Sequence, residues 1–195
     1  MNCNCFRRNV RCNSASILVG LLNLQNTIKD RFSLSGISLH RGELVNLNVL
    51  PAEANFGIQF RRVDIVDKDP FVKALYSSVS ESHLCTKIAN KDGISVQTVE
   101  HLMAALAGTG VHNALIEIDG PEVPILDGSS KDFVRKILAA GKKSLEDSIK
   151  GFKITKEINV YDGFSWARFK PADALSIDFH IDYSGTVIGT QKLSL

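Results

Sequence analysis

Residues 44–49, Leu44-Val45-Asn46-Leu47-Asn48-Val49, alternate apolar and polar side chains. That period of two is the mark of a strand with one buried and one wet face, and Pro51 ends it. Residues 57–62 read as its neighbouring strand, with Glu53-Ala54-Asn55 in the turn between them. Residues 74–79 and 85–89 are short strand candidates, and Lys91-Asp92-Gly93 signals a tight turn because Asp-Gly tolerates positive φ. The period then changes. Over residues 98–107 Val99, Leu102, Met103 and Leu106 recur at helical spacing, with Thr98 placed to cap the start and Gly108 to stop the end. Residues 114–119 read as a strand. The two prolines of Gly120-Pro121-Glu122-Val123-Pro124 require an ordered loop. A second helix is expected over 130–140, with an apolar stripe of Phe133, Val134, Ile137 and Leu138 and a stop at Gly141. Residues 142–150 read as a polar linker, and 152–160, 166–169 and 175–183 as three further strands joined by short turns.

This order of elements predicts an α+β fold: a two-layer sandwich of a sheet packed on helices. Three parts are expected: an N-terminal extension over 1–24, a complete first domain over 25–146, and a second domain over 147–195. The last holds only strands, with no helix to cover their apolar face, and reads as truncated.

Composition narrows the class. Of 195 residues 44% are hydrophobic and 23% charged, as in globular domains. The net charge is +2, and leaving out Arg7, Arg8 and Arg11 turns it to −1. The folded part is then nearly neutral, without the basic face that nucleic acid needs. Three of the four cysteines, Cys3, Cys5 and Cys12, lie in the extension, leaving Cys85 alone in the folded part. A disulfide framework would be spread through the fold, so an intracellular, reduced protein is expected. The three clustered cysteines could hold a metal, but nothing nearby supplies a fourth ligand. The extension is arginine-containing and has no acid before Asp30. The readings that stay open for it are an organelle-targeting peptide, more weakly a signal peptide, and a disordered leader. Its apolar run, residues 17–22, is too short to span a bilayer.

Candidate chemistry centres on Glu100-His101, two strongly polar neighbours in the first turn of a helix that otherwise reads as core. Their side chains diverge by about 100° around the helix axis. A neutral imidazole binds Zn²⁺, the metal acidifies its bound water, and an adjacent carboxylate can take the proton. The alternative is structural, with Glu100 accepting backbone N–H groups at the helix start as in a capping box.

Thr98-Val99-Glu100-His101-Leu102-Met103-Ala104-Ala105-Leu106-Ala107-Gly108 resembles the signature helix of the bacterial UDP-3-O-acyl-N-acetylglucosamine deacetylase family. Other stretches resemble family segments in the same order. They are Gly36-Ile37-Ser38-Leu39-His40-Arg41-Gly42, Leu84-Cys85-Thr86, and Pro121-Glu122-Val123-Pro124-Ile125-Leu126-Asp127-Gly128-Ser129. Trp166 to Pro171 and Ile177 to Tyr183 resemble the beginning of the family's second domain. The resemblance implies a zinc-dependent hydrolase that removes the N-acetyl group of UDP-3-O-acyl-N-acetylglucosamine, the committed step of lipid A biosynthesis. It implies one Zn²⁺ held by two histidines and an aspartate, with His101 as the first metal ligand and Glu100 as the catalytic base. Leu84 and Cys85 would bind substrate near the acyl or catalytic pocket, and Tyr183 near the nucleotide end. His40 would line the cleft or stabilise its loop. The implied partners are the UDP-linked substrate and, through its acyl tail, a membrane surface. The complete protein would be a cytoplasmic bacterial monomer; organelle targeting is the alternative that the extension leaves open.

The chain also departs from the family. No His-Lys-x-x-x-Asp helix follows, and neither His112 nor His180 sits in such a context. Ser165 stands where some members have a lysine near the nucleotide phosphates. One imidazole is a poor zinc site, since catalytic zinc keeps three protein ligands. The isolated chain is therefore expected to bind zinc weakly and to turn over little. A catalytically inactive remnant or gene fragment is the alternative function.

Overall fold

The computed structural model describes residues 24–194, apart from His83, Phe152, Phe164 and Leu175 and the side chains of Asp162 and Ser165. The extension with Cys3, Cys5 and Cys12 lies outside the described residues, as does the side chain of Ser165. The architecture is α+β. The chain divides into one unit that ends at Ile149 and another from Lys150 to Leu195.

The first unit is built around a five-stranded sheet of order β2-β3-β9-β4-β5. These are β2 Phe32–Ile37, β3 Leu44–Pro51, β4 Ile58–Arg62, β5 Phe71–Lys73 and β9 Ala114–Ile118. β3 alternates as expected, burying Val45, Leu47 and Val49. β2 carries the same period in Phe32-Ser33-Leu34-Ser35. On its wet face the Ser33 and Ser35 hydroxyls donate to the Asn48 and Asn46 side-chain carbonyls across the ladder. β4 is not the neighbour of β3. β9 lies between them, antiparallel to β3 and parallel to β4. Ala114, Ile116 and Ile118 are fully buried there, and an apolar strand is best satisfied with partners on both edges.

A three-stranded sheet joins β6 Val79–Ser80, β7 Lys87–Ala89 and β8 Ser95–Gln97. The strand expected over 74–79 is instead a 3-10 turn, Tyr76–Ser78, leading into the two-residue β6. Helix α1 runs Glu100–Thr109 and α2 Lys131–Ala140. Leu102, Ala105 and Leu106 of α1 and Phe133 and Ile137 of α2 join the buried face of the large sheet in one core. Leu138, expected in that stripe, is exposed. Gly108 does not stop α1. The helix passes through it and closes at Gly110, in the left-handed conformation that glycine tolerates.

The polar stretch after Gly141 is no linker. It is β10, Lys142–Ser148, paired antiparallel with β1, Leu24–Ile28. β1 is mostly buried whereas β10 is mostly exposed, so β10's polar composition suits an outer strand and hides it from a pattern search. The second unit, as described, consists of two antiparallel ribbons, β11 Ile158–Asp162 with β12 Ser165–Phe169 and β13 Asp178–Tyr183 with β14 Gly189–Ser194.

Candidate active site

Three of the segments singled out in the sequence, 36–42, 84–86 and 121–129, converge on the start of α1. The loop over 120–126 is hydrogen-bonded on one side to the end of β8, where Gln97 N–H donates to Pro121 O (2.9 Å) and Val123 N–H to Gln97 O (3.0 Å). On the other side it meets the end of β2, where Ile125 N–H donates to Ile37 O (3.0 Å) and Ser38 bridges Pro124. Gly36 makes this approach feasible, because a Cβ there would stand 2.9 Å from Leu126 Cδ2 and 3.0 Å from Pro124 Cβ.

Glu100 and His101 sit side by side in the first turn, both half-buried. The Glu100 carboxylate accepts the Thr86 N–H, at 3.3 Å to Oε1 and 3.2 Å to Oε2. Val99 N–H donates back to Thr86 O at 3.4 Å, so the segment around Cys85 is tied to the helix start. An acid in the first turn also suits the positive end of the helix dipole.

Neither helix has a side-chain cap at its start. Thr98 is not the N-cap of α1; it precedes Val99, which holds that position without a side-chain bond. The Thr98 hydroxyl donates instead to Glu122 Oε1 at 2.8 Å. The hydroxyl of Ser130, at the N-cap of α2, donates to the His101 carbonyl at 2.9 Å. Both hydroxyls thus hold the candidate site together rather than cap their own helices.

Glu122 is fully buried. It accepts the His40 backbone N–H (3.1 and 3.2 Å), His40 Nδ1 (2.6 Å) and the Thr98 hydroxyl. Burial alone would push its pKa up. The hydrogen bonds from the His40 ring, Thr98 and the His40 backbone, with the attraction of His40, outweigh that and hold it below the ordinary value. His40 is therefore bound into its loop through Glu122. A lone acid between two prolines was the sequence signal for this buried group.

Among the described residues four non-glycine residues have left-handed backbone: Asn55, Leu84 (φ 58°), Thr98 (φ 55°) and Leu126 (φ 53°). Three of them lie in the converging segments, and such strain gathers where function needs a fixed geometry. Leu84 is 83% exposed. Cys85 is a half-buried free thiol, with Sγ 3.6 Å from Ser82 Oγ. Tyr183 closes β13 in the second unit, exposed and opposite Gly189. His112 is structural: its Nδ1 accepts the Asn26 N–H at 3.0 Å. His180 is an exposed position of β13.

For a metal, His101 is the imidazole at the helix start, and its neighbour Glu100 is occupied with Thr86. Among the described residues no group of three or more His, Cys, Asp or Glu side chains could hold an ion. The donors among the described residues thus do not by themselves make up the three protein ligands that a catalytic zinc needs.

A family model described as LpxC, UDP-3-O-acyl N-acetylglycosamine deacetylase, matches residues 25–195. The chain belongs to the LpxC family. Among curated LpxC-type relatives, the UDP-3-O-acyl-N-acetylglucosamine deacetylase of Pseudoalteromonas atlantica is 42% identical over 168 residues, covering 86% of this chain and 55% of that protein. The deacetylase of Idiomarina loihiensis is 43% identical over 166 residues, covering 84% of this chain and 53% of its own length. That of Aliivibrio fischeri is 40% identical over 171 residues, covering 88% and 56%. This LpxC-family chain thus spans about half the length of the curated relatives it matches.

Proposed function

We propose that this chain carries one half of a UDP-3-O-acyl-N-acetylglucosamine deacetylase centre serving lipid A biosynthesis, with Glu100 as general base and His101 as one imidazole ligand of a zinc ion. The observation that carries the reading is the convergence of three family-like segments of the first unit on one helix start, where carboxylate and imidazole stand next to each other and half-open to solvent. When bound, a zinc ion supplies a water whose pKa lies near neutrality. The chain's own part is to hold a carboxylate beside it and to present one ring nitrogen.

In this reading the unit closed by β10 is the family's first domain, a sheet layered on helices, and the unit from Lys150 begins the second, with Tyr183 near the nucleotide end. Leu84 and Cys85 line the acyl side. The substrate is the UDP-linked acylated sugar, met at a membrane surface by a monomer in the cytoplasm. Among the described residues no helix is long and apolar enough to cross a membrane. The shortage of donors among the described residues favours a second reading, a remnant that binds zinc weakly and turns over little.

Two measurements test this. The 195-residue chain, dialysed and assayed for metal, is expected to hold well under one zinc per chain. Stoichiometric zinc lost in His101→Ala would show that the missing donors were misjudged. In a protein completed by a family second half, Glu100→Gln is expected to cut turnover by about 10²–10⁴, the share of a positioned base. Undiminished turnover would remove Glu100 from that role.

A further inference from the structure

Thr98 combines a left-handed backbone with a hydroxyl in use. Its φ of 55° is left-handed, which costs a β-branched residue about 1–2 kcal/mol. Glycine would remove that cost but has no hydroxyl. The hydroxyl is in use, donated to Glu122 in a setting where Thr98 is itself buried. Glu122 is at 0% exposure, and an isolated carboxylate there would be strongly disfavoured. It is sustained by donors from two segments: the His40 backbone and ring from the turn after β2, and Thr98 from the lead into α1.

The flanks of Glu122 grip the adjoining residue. Pro121 O and Val123 N–H pair with the backbone of Gln97, so three successive residues of one loop hold two successive residues of the lead-in. From Thr98 the chain passes to Val99, whose N–H meets Thr86 O and whose carbonyl takes the first helical bond, from Met103 N–H at 2.9 Å. Glu100 then reaches the Thr86 N–H. Any rotation at Thr98 turns this whole entry.

We propose that Glu122 is a positioning residue: through the Thr98 hydroxyl its buried carboxylate locks the left-handed turn that aims Glu100 and His101 at the start of α1. The role matters for turnover only through the deacetylase reading of Glu100 and His101, on which it rests in that respect. The geometry can be measured without activity.

The test uses the full 195-residue chain and two readouts, the ring-nitrogen NMR signals of His101 and the hydrogen-exchange rate of the Thr86 amide. The Phe60 and Ile116 amides of the central sheet report whether the core is intact. Glu122→Gln keeps the shape and removes the charge. It is expected to shift the His101 ring signals and to speed Thr86 exchange by about tenfold, with the sheet amides still protected. Unmoved signals over an intact core would overturn the proposal. Should Glu122→Gln unfold the chain, the pair Thr98→Val and Thr98→Ser decides. Valine keeps the shape without the hydroxyl and is expected to reproduce the shifts, whereas serine keeps the hydroxyl and leaves both readouts as they were. Identical His101 spectra in the two variants would overturn the proposal as well. Failure of the deacetylase reading looks different: Glu100→Gln would leave a completed enzyme active, while Glu122→Gln and Thr98→Val would still shift the His101 ring signals.

Discussion

Single side chains at this site work against local preference, and in each case a longer-range contact explains why. Thr98 and Ser130 are both good N-cap types, yet their hydroxyls serve Glu122 and the His101 carbonyl. Gly36 sits where β2 touches the loop over 124–126 without room for a methyl group. Leu126 could give way but the Pro124 ring cannot, so Gly36→Ala is expected to lower unfolding free energy by about 1–3 kcal/mol. Urea denaturation of the two proteins measures it, and equal midpoints would show that the contact yields freely. Titration adds a second expectation. Glu122 has a folded pKa below its unfolded value, so its contribution is present above the ordinary carboxylate range and is lost as pH falls through the folded pKa. His112 is also lowered, by burial and then by the charge of Lys142. The unfolded chain takes up that proton first, so stability present above about pH 6.5 declines as the solution is acidified. Melting temperature should therefore fall in two stages below neutrality, and His112→Gln should flatten the upper one. An upper stage that survives this substitution would assign it to another group.

Among elements, the long periodic ones were legible and the short or polar ones were not. β3, β9 and the two helices follow directly from periods of two and 3.6, because each has one apolar face to bury. β5, β6 and β8 have two or three residues each, too few for any period to emerge. β10 escaped because its side chains face water and its pairing, not its apolar content, makes it a strand. It also brings the Ser148 carbonyl to the Gln25 side chain (3.0 Å) and the Asp147 carboxylate to that of Asn55. A chain cut after Ala140 should accordingly melt well below one cut after Ile149. Equal melting temperatures would mean that β1 holds its place without a partner.

Over the whole molecule the two units differ in how well they bury their apolar side chains. The first has a single core drawn from sheet and helices. In the second Val160, Trp166, Phe169, Phe179, Tyr183 and Leu193 are all exposed, and each ribbon has only two strands. Two-stranded ribbons are marginal by themselves, and so much accessible apolar surface favours association. The 195-residue chain is expected to enhance the fluorescence of a hydrophobic dye well above a chain ending at Ile149, and to elute earlier from a sizing column as concentration rises. Equal dye response from both chains would count against an exposed face.

The sequence by itself determined the α+β character, the two helices, the principal strands and the neighbouring carboxylate and imidazole at a helix start, together with the family they resemble. All of these are written in local periods, turn residues and short motifs. Only the tertiary structure decided that β9 separates β3 from β4, that β10 completes β1, that Glu122 is a buried anion, and that the hydroxyl of Thr98 belongs to it. Strand order and the burial of a charge depend on which distant segments come together, and linear spacing carries no record of that.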